Sequence, residues 1–574
     1  MNRRYSKPGK KGFYFFLISM LCVSSALYAS DNYSLPHDMG KRIDEVFLAY
    51  DTAWTPGVAV AVVKDGQIAY TNAYGYAHLE YDIPNTPSTV FHIASISKQF
   101  TTFSILLLEA DGKLSLDDDV RLHIPELPDF GVTITLRQMA HNISGMRDQW
   151  NLLGMAGWRL DDVISTQQVL RLLSRQKELN FNPGDEYLYS NSGFTLLAEV
   201  VARVSGQSFA EYTKERIFEP LGMHSTLFYD DHEVIVRNRA YSYAGRDGNY
   251  RKRVLSYATV GATSLFTTVE DISLWAMNFD DPVVGNADII DKMNTRGVLN
   301  DGTTISYALG QTVGTYRGLH MISHGGADAG YRTFLARFPD HGVSLVVFSN
   351  DAGFSSNAMA MRVADIVLEN YLEEDEQAEE AWDKLVVRAD PAYFTFFEGH
   401  FRQAADNHLI IESDNDTLYY YTSSVRRRNV LHPLSNTEFI TEGGRTRLKF
   451  PEPNNSDVST LNLIRGDETL ELPRVEVFDP SQVLLDGFTG TFYSEELDIS
   501  YILGLQDDDS GNQRLVSSQL RIGNMYLTPL TPDHFSGSNW FASRIAFERN
   551  DQGHVIGFRA TGSRARNVWF EKVK

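Results

Sequence analysis

The four residues Ser95-Ile96-Ser97-Lys98 place a hydroxyl and an amine three positions apart. On a helix, positions i and i+3 share a face, so the Lys98 side chain can lie beside the Ser95 hydroxyl and act on its proton. That pairing is what an activated serine nucleophile needs. Alone it is a weak signal, because ordinary serine and lysine usage gives about two such matches by chance in a chain this long, and Ser174-Arg175-Gln176-Lys177 is another. A nucleophilic serine hydrolase also needs a proton donor for the leaving group and hydrogen-bond donors for an oxyanion. Two further segments can supply them. Tyr189-Ser190-Asn191 sets a phenol and a carboxamide at i and i+2, which point the same way in extended backbone. His324-Gly325-Gly326-Ala327 joins an imidazole to glycines that allow close backbone approach to a bound substrate.

These residues need elements to position them. Lys41 to Tyr50 reads as a short amphipathic helix, followed by a hairpin of Val58 to Val63 and Ile68 to Tyr70 around the turn Lys64-Asp65-Gly66-Gln67. Tyr70-Thr71-Asn72, which repeats the spacing of Tyr189 and Asn191, belongs to that hairpin. Ser95 is expected to open a helix that runs through Leu108 and stops at Asp111-Gly112, where glycine takes the left-handed conformation. Phe194 to Val204 and Phe209 to Leu221 read as helices. Thr333 to Phe338 and Val343 to Phe348 read as paired strands, with a closing helix from Ala358 to Leu372. Strands at both ends with helices between predict an α/β domain whose first and last strands pair in one sheet covered by helices. From 373 to 390 the chain turns acidic, as a linker would. Beyond it, 391–480 and 483–574 are short alternating strands whose openings match, Phe397-Glu398-Gly399-His400-Phe401 against Phe488-Thr489-Gly490-Thr491-Phe492. They predict a duplicated, barrel-like all-β module, with two independent modules or one composite β domain as alternatives.

The 574 residues are 43% hydrophobic and 22% charged, the balance of a soluble globular chain of two or three domains. A formal net charge of −22 argues against nucleic acid and anionic lipid as partners. Arg3, Arg4, Lys7, Lys10 and Lys11 precede the apolar run Phe13 to Val23 and the small residues ending at Ala29, which is the order of a secretory signal peptide over 1–29. The expected location is periplasmic or secreted, with no membrane span after cleavage and an uncleaved anchor as the alternative. The single cysteine, Cys22, falls inside this leader, so neither disulfides nor thiolate chemistry are expected of the mature chain. No metal-ligand spacing such as H-E-x-x-H occurs, and neither a metal nor another cofactor is expected. His92 and His141 read as structural, and Arg332 as a charge on a strand surface, with a bidentate clamp on a substrate carboxylate as its alternative.

The ordered set S-x-x-K, Y-x-N and H-x-G resembles the class C β-lactamase-related serine hydrolases, a group of penicillin-binding proteins, D,D-carboxypeptidases, D-aminopeptidases and esterases. Phe91, the run Gly112 to Asp118, His141-Asn142-Ile143-Ser144-Gly145-Met146 and Asn182-Pro183-Gly184 fit the same pattern, which spans about 41 to 372. The resemblance implies a β-lactamase/transpeptidase-like antiparallel sheet flanked by helices, with a helical subdomain and a cleft between them. Appended β-barrels resemble those of D-aminopeptidase-like members. It implies that Ser95 is acylated, that Lys98 takes its proton and that Tyr189 exchanges protons with the nucleophile and leaving group. Asn191, His324, Gly326 and Ala327 bind substrate, and the N–H groups of Ser95 and Ala327 form the oxyanion hole. Whether Lys98 or a Tyr189 phenolate is the base stays open at this level. The expected activity is hydrolysis of an amide or ester through a Ser95 acyl-enzyme, on a D-amino-acid peptide or similar small acyl donor. Histidine in place of the lysine of K-T-G removes a permanent cation and argues weakly against efficient β-lactamase action. A general esterase, a β-lactamase, and a non-catalytic binding protein on the same fold are the alternatives. Oligomeric state is not legible in the sequence.

Overall fold

Val58-Ala59-Val60-Ala61-Val62-Val63 is buried on both faces, which requires a central strand. In the computed structural model, which describes residues 34–574 except 53, 374–385, 405–406, 424, 443–445, 455, 466–467, 477–478, 480–482, 509–510 and 520, that is its place. The strands β1 (Val58–Lys64), β2 (Gln67–Tyr74), β3 (Thr312–Tyr316), β4 (Leu319–Asp328), β5 (Tyr331–Phe338) and β6 (Val343–Ser349) form one antiparallel sheet in the order β3-β4-β5-β6-β1-β2. The first strand pairs with the last, Val60 opposite Val347, as expected. Val58, Val60 and Val62 face a core shared with helices α1 (His37–Phe47) and α6 (Ser356–Val367). Ala59 and Ala61 face the other core, where their small side chains let helix α5 (Val269–Met277) approach the sheet.

The helix that carries Lys98, α2 (Ser97–Ala110), is buried on nearly every side. A helix so placed must satisfy its own polar side chains: the hydroxyls of Thr101, Thr102 and Ser104 donate to carbonyls one turn back, Ser104 to Phe100 at 2.7 Å. Between the sheet halves the chain builds a helical subdomain that includes α3 (Gln149–Met155) and α4 (Asn191–Ser205). Several expected boundaries shift, among them the first helix, which runs His37–Phe47 rather than Lys41 to Tyr50. Ser95 sits in a 3₁₀ turn, Ala94–Ile96, ahead of α2, because Ala94 at φ 49° turns the chain out of the helical path. The segment 209–221 breaks into Phe209–Thr213, the π-helical Lys214–Phe218 and Glu219–Leu221, since Pro220 has no N–H to return to the preceding turn. The closing helix ends at Val367 rather than Leu372.

Two closed, eight-stranded antiparallel barrels follow, spanning Gly399 to Val475 and Gly490 to Lys572. The matched openings have one purpose in both. Phe397, Phe401, Phe488 and Phe492 are buried inside their barrels, and Gly399 and Gly490 begin the first strands at φ 149° and 134°. The first barrel has its own aromatic core, whereas the second shares a continuous core with the helical subdomain. The leader 1–29 and most of the acidic linker, 374–385, lie outside the described residues. Among the described residues no helix is long and apolar enough to cross a membrane.

Candidate active site

The chain reaches Ser95 through strained backbone held from several sides. The Ala94 carbonyl accepts from Ser97 Oγ at 2.5 Å, and Nδ1 of the buried His92 ring accepts the Ala94 N–H at 3.3 Å while its Nε2–H faces Thr263 Oγ1 at 3.4 Å. His92 thus braces the nucleophile turn, and burial holds it neutral by pushing its pKa well below the ordinary value. Gly326 corrects the sequence reading in one respect. A Cβ there would lie 2.2 Å from the Ile93 carbonyl and 2.3 Å from Thr333 Oγ1, so the missing side chain admits the protein's own backbone rather than a substrate. This contact, with Thr333 Oγ1 donating to Ile93 O at 2.9 Å, clamps the end of β4 against the Ser95 turn.

Lys98 lies fully buried below Ser95. Its Nζ is 3.1 Å from Ser95 Oγ, 2.8 Å from Asn191 Oδ1 and 2.7 Å from the Ala262 carbonyl. The Asn191 amide is fixed because its backbone N–H and its Nδ2 both donate to Asp148 Oδ2 at 2.7 Å, which turns Oδ1 toward Lys98. Asp148, buried, caps α3 through the Trp150 N–H at 2.9 Å. Desolvation lowers the Lys98 pKa to about 7, with Asp328 and Asp148 opposing the fall and Arg564 adding to it. Burial pushes the Tyr189 phenol above its ordinary value, and Ser95 and Arg564 offset part of that. Lys98 Nζ and the Arg564 guanidinium lie 4.8 and 4.9 Å from the centre of the Tyr189 ring.

His324 forms another wall. Its Nδ1 faces the Gly325 carbonyl at 2.7 Å and must carry the proton, leaving Nε2 to accept from Tyr307 Oη at 3.0 Å. Desolvation, then the nearby Lys98, lowers its pKa to about 3, so the imidazole is neutral. His141, whose pKa burial lowers to about 4, does not line the cleft.

Ser95, Tyr189, Asn191, His324, Gly326 and Ala327 line one cleft of about 570 Å³, with Lys98 beneath it, so all the residues named from sequence converge. Arg332 lines it too, half-buried, against its reading as a strand-surface charge. The decoy Ser174 to Lys177 lies elsewhere, where Arg175 pairs with Asp498 of the second barrel at 2.9 Å and Lys177 with Glu495. Sequence reasoning missed Asp148, the Ala262 carbonyl, Asp328 and Arg564. None lies at a motif spacing; the faint trace is the basic turn Ser563-Arg564-Ala565-Arg566 in an acidic chain. Among the described residues no cluster of three or more His, Cys, Asp or Glu is placed to hold a metal ion.

Comparison with known proteins agrees with this fold. The Beta-lactamase family pattern matches residues 43–368, more than half the chain, and the protein belongs to that hydrolase family. It is similar to the D-aminopeptidase of Gluconobacter oxydans (strain 621H), 25% identical over 530 residues, covering 90% of this chain and 96% of that one. A penicillin-binding protein of Bacillus subtilis (strain 168) is 26% identical over 409 residues, 68% of this chain and 89% of its own. The octameric penicillin-binding protein homologue from Pyrococcus abyssi shares the fold, with a TM-score of 0.54 at 22% identity over 76% of this chain and 99% of that one.

Proposed function

We propose that this protein is an exported serine hydrolase that cleaves a D-amino-acid peptide or similar small acyl donor through an acyl-enzyme on Ser95. The observation that carries the reading is the environment of Lys98. A neutral amine has two N–H bonds and one lone pair; Asn191 Oδ1 and the Ala262 carbonyl take the two hydrogens, which leaves the lone pair facing Ser95 Oγ at 3.1 Å. Lys98 then accepts the Ser95 proton as Oγ attacks the substrate carbonyl. The Ser95 and Ala327 N–H groups receive the developing oxyanion. The phenol of Tyr189, held protonated by burial, gives its proton to the leaving group and takes back the one that Lys98 removed from Ser95, which restores a neutral amine and a neutral phenol. Water then repeats the sequence to release the acid. The resting proton inventory favours Lys98 over a Tyr189 phenolate as base.

The D-aminopeptidase relatives, aligned along nearly their whole length, support the D-amino-acid substrate class. The hairpin loop 562–567 of the second barrel, which brings Arg564 to the cleft, favours small substrates by walling it. Export rests on the leader 1–29 and is checked by N-terminal sequencing of the mature protein.

Intact-protein mass spectrometry after incubation with a penicillin, an acyl ester and D-amino-acid amides, with Ser95→Ala as control, tests the reading. A Ser95-dependent adduct or turnover is expected with at least one of these acyl donors. A folded protein with neither favours the binding-protein alternative.

A further inference from the structure

We propose that Arg564 is a specificity residue that selects substrates bearing a carboxylate beside the scissile bond, in preference to those bearing a free ammonium. The proposal rests on the serine-hydrolase reading and narrows its substrate. Arg564 comes from the second barrel, on the loop between strands Val555–Thr561 and Val568–Lys572, and it lines the same cleft as Ser95. Its backbone is pinned: the Asp148 N–H donates to the Arg564 carbonyl at 2.9 Å and Asn180 Nδ2 at 3.1 Å, while the Arg566 N–H donates to Asn180 Oδ1 at 2.8 Å. Asp148 also orients Asn191, so this loop and the Lys98 cradle are set by one residue, the first through its backbone N–H and the second through its carboxylate.

Its neighbours show what is unusual. Along the same interface Arg147 meets Glu496 at 2.6 Å, Arg559 meets Glu178 at 3.2 Å and Arg566 meets Glu186 at 3.0 Å. In a chain with 74 acidic and 52 basic residues, Arg564 forms no ion pair among the described residues. It lies instead over the Tyr189 ring, 4.9 Å from its centre, with no carboxylate of the described residues paired to it, and an unpaired guanidinium can take a planar, bidentate acceptor.

The rest of the cleft offers no competing recognition of a cation. Asp328 is the one acid among the lining residues, and the hydroxyls of Thr263 and Tyr257 already occupy its carboxylate. His324 is neutral and both its nitrogens are engaged. Arg332, the register partner of Ala327, adds a second guanidinium; it donates to the Tyr331 carbonyl at 2.7 Å and has Asp328 and Asp351 in its electrostatic surroundings, so it is partly compensated where Arg564 is not. A substrate ammonium would meet two guanidinium groups here, and a substrate carboxylate would meet an unpaired one.

The carboxylate could be the free C-terminus of the leaving residue or an acidic side chain on the acyl residue, and matched substrates separate the two. One pair is N-acetyl-D-alanyl-D-alanine against its C-terminal amide; another is the p-nitroanilide of N-acetyl-D-glutamate against that of N-acetyl-D-glutamine; D-alanine p-nitroanilide supplies the free ammonium. The readout is the ratio of kcat/KM within each pair, so a general loss of activity in a variant cancels. The full-length protein should favour the carboxylate in one pair by about 10- to 100-fold. That ratio should fall toward unity in Arg564→Met and recover in part in Arg564→Lys, and Arg564→Glu should shift preference toward the ammonium substrate. Calorimetric binding of the same pairs to Ser95→Ala makes the comparison without turnover. Ser95-dependent turnover with no carboxylate preference, or a preference that survives Arg564→Met, overturns this proposal alone. Absence of Ser95-dependent turnover of every substrate overturns the hydrolase reading and this one together.

Discussion

Lowering a lysine from 10.5 to about 7 weighs about 5 kcal/mol against its ammonium form. Complete burial of Lys98 is the largest cause, and the acceptors Asn191 and Ala262 keep the amine from being orphaned. The consequence is a titration in the accessible range. Below pH 7 Lys98 is protonated and cannot accept from Ser95; above it the amine is free. The pre-steady-state acylation rate with a neutral ester should therefore rise about ten-fold per pH unit below a midpoint near 7 and level off above it. Lys98→Ala should lower acylation by about 1,000-fold or more. A rate flat between pH 5 and 9, or near-normal acylation in Lys98→Ala, would rule out this base. Neither His324 nor Tyr189 competes for that assignment, since burial holds the first neutral and the second protonated over the same range.

The 3₁₀ turn and the end of β4 act as one unit at the level of elements. Ala94 is held at φ 49°, a conformation that costs a non-glycine residue on the order of 1 kcal/mol, and the clamp between Ile93, Gly326 and Thr333 sustains it. Gly326→Ala inserts a methyl 2.2 Å from the Ile93 carbonyl, which backbone cannot yield without moving β4 away from Ser95. The expected result is a loss of about 100-fold or more in acylation, from a displaced oxyanion donor at Ala327. The accompanying destabilisation should be about 1 to 3 kcal/mol. Burst kinetics and chemical denaturation read the two separately, and unaltered acylation would show that the clamp does not set the oxyanion geometry.

For the whole molecule, the second barrel is part of the catalytic body rather than an appendage. Arg147 is buried at 2% exposure and is held by Glu496 at 2.6 Å and by the Arg566 and Asn567 carbonyls at 2.9 and 3.2 Å; the Tyr501 hydroxyl donates to Met155 O at 2.7 Å. Phe541 packs where Gly154 has no side chain, its ring 2.7 Å from the position a Cβ would occupy. Removing one partner of a buried ion pair strands the other, so Arg147→Met should cost about 3 to 5 kcal/mol, and the double change with Glu496→Leu should recover much of it. Denaturation curves of the four combinations measure the coupling. If Arg147→Met leaves stability intact, the barrel is not anchored through this pair.

The candidate nucleophile, its amine, the phenol and carboxamide, and the β4 motif were legible as candidates from local spacing, because a hydroxyl paired with an amine one turn away is a short-range requirement. The pairing of first and last strands was legible too, since a strand apolar on both faces must lie inside a sheet. So was the repeat, in two Phe-x-Gly-x-Phe openings that bury a phenylalanine at each end. Tertiary structure alone decided which hydroxyl–lysine match lies in a cleft: Ser95 and Lys98 meet in a desolvated one, while Ser174 to Lys177 faces acids of the second barrel. It also decided that Gly326 makes room for backbone and that Arg332 faces the cleft. Arg564 reaches Tyr189 from nearly 400 residues along the chain for the same reason. Spacing specifies what neighbours on one element can do; burial and charge compensation depend on what distant elements bring, and only the packed fold sets those.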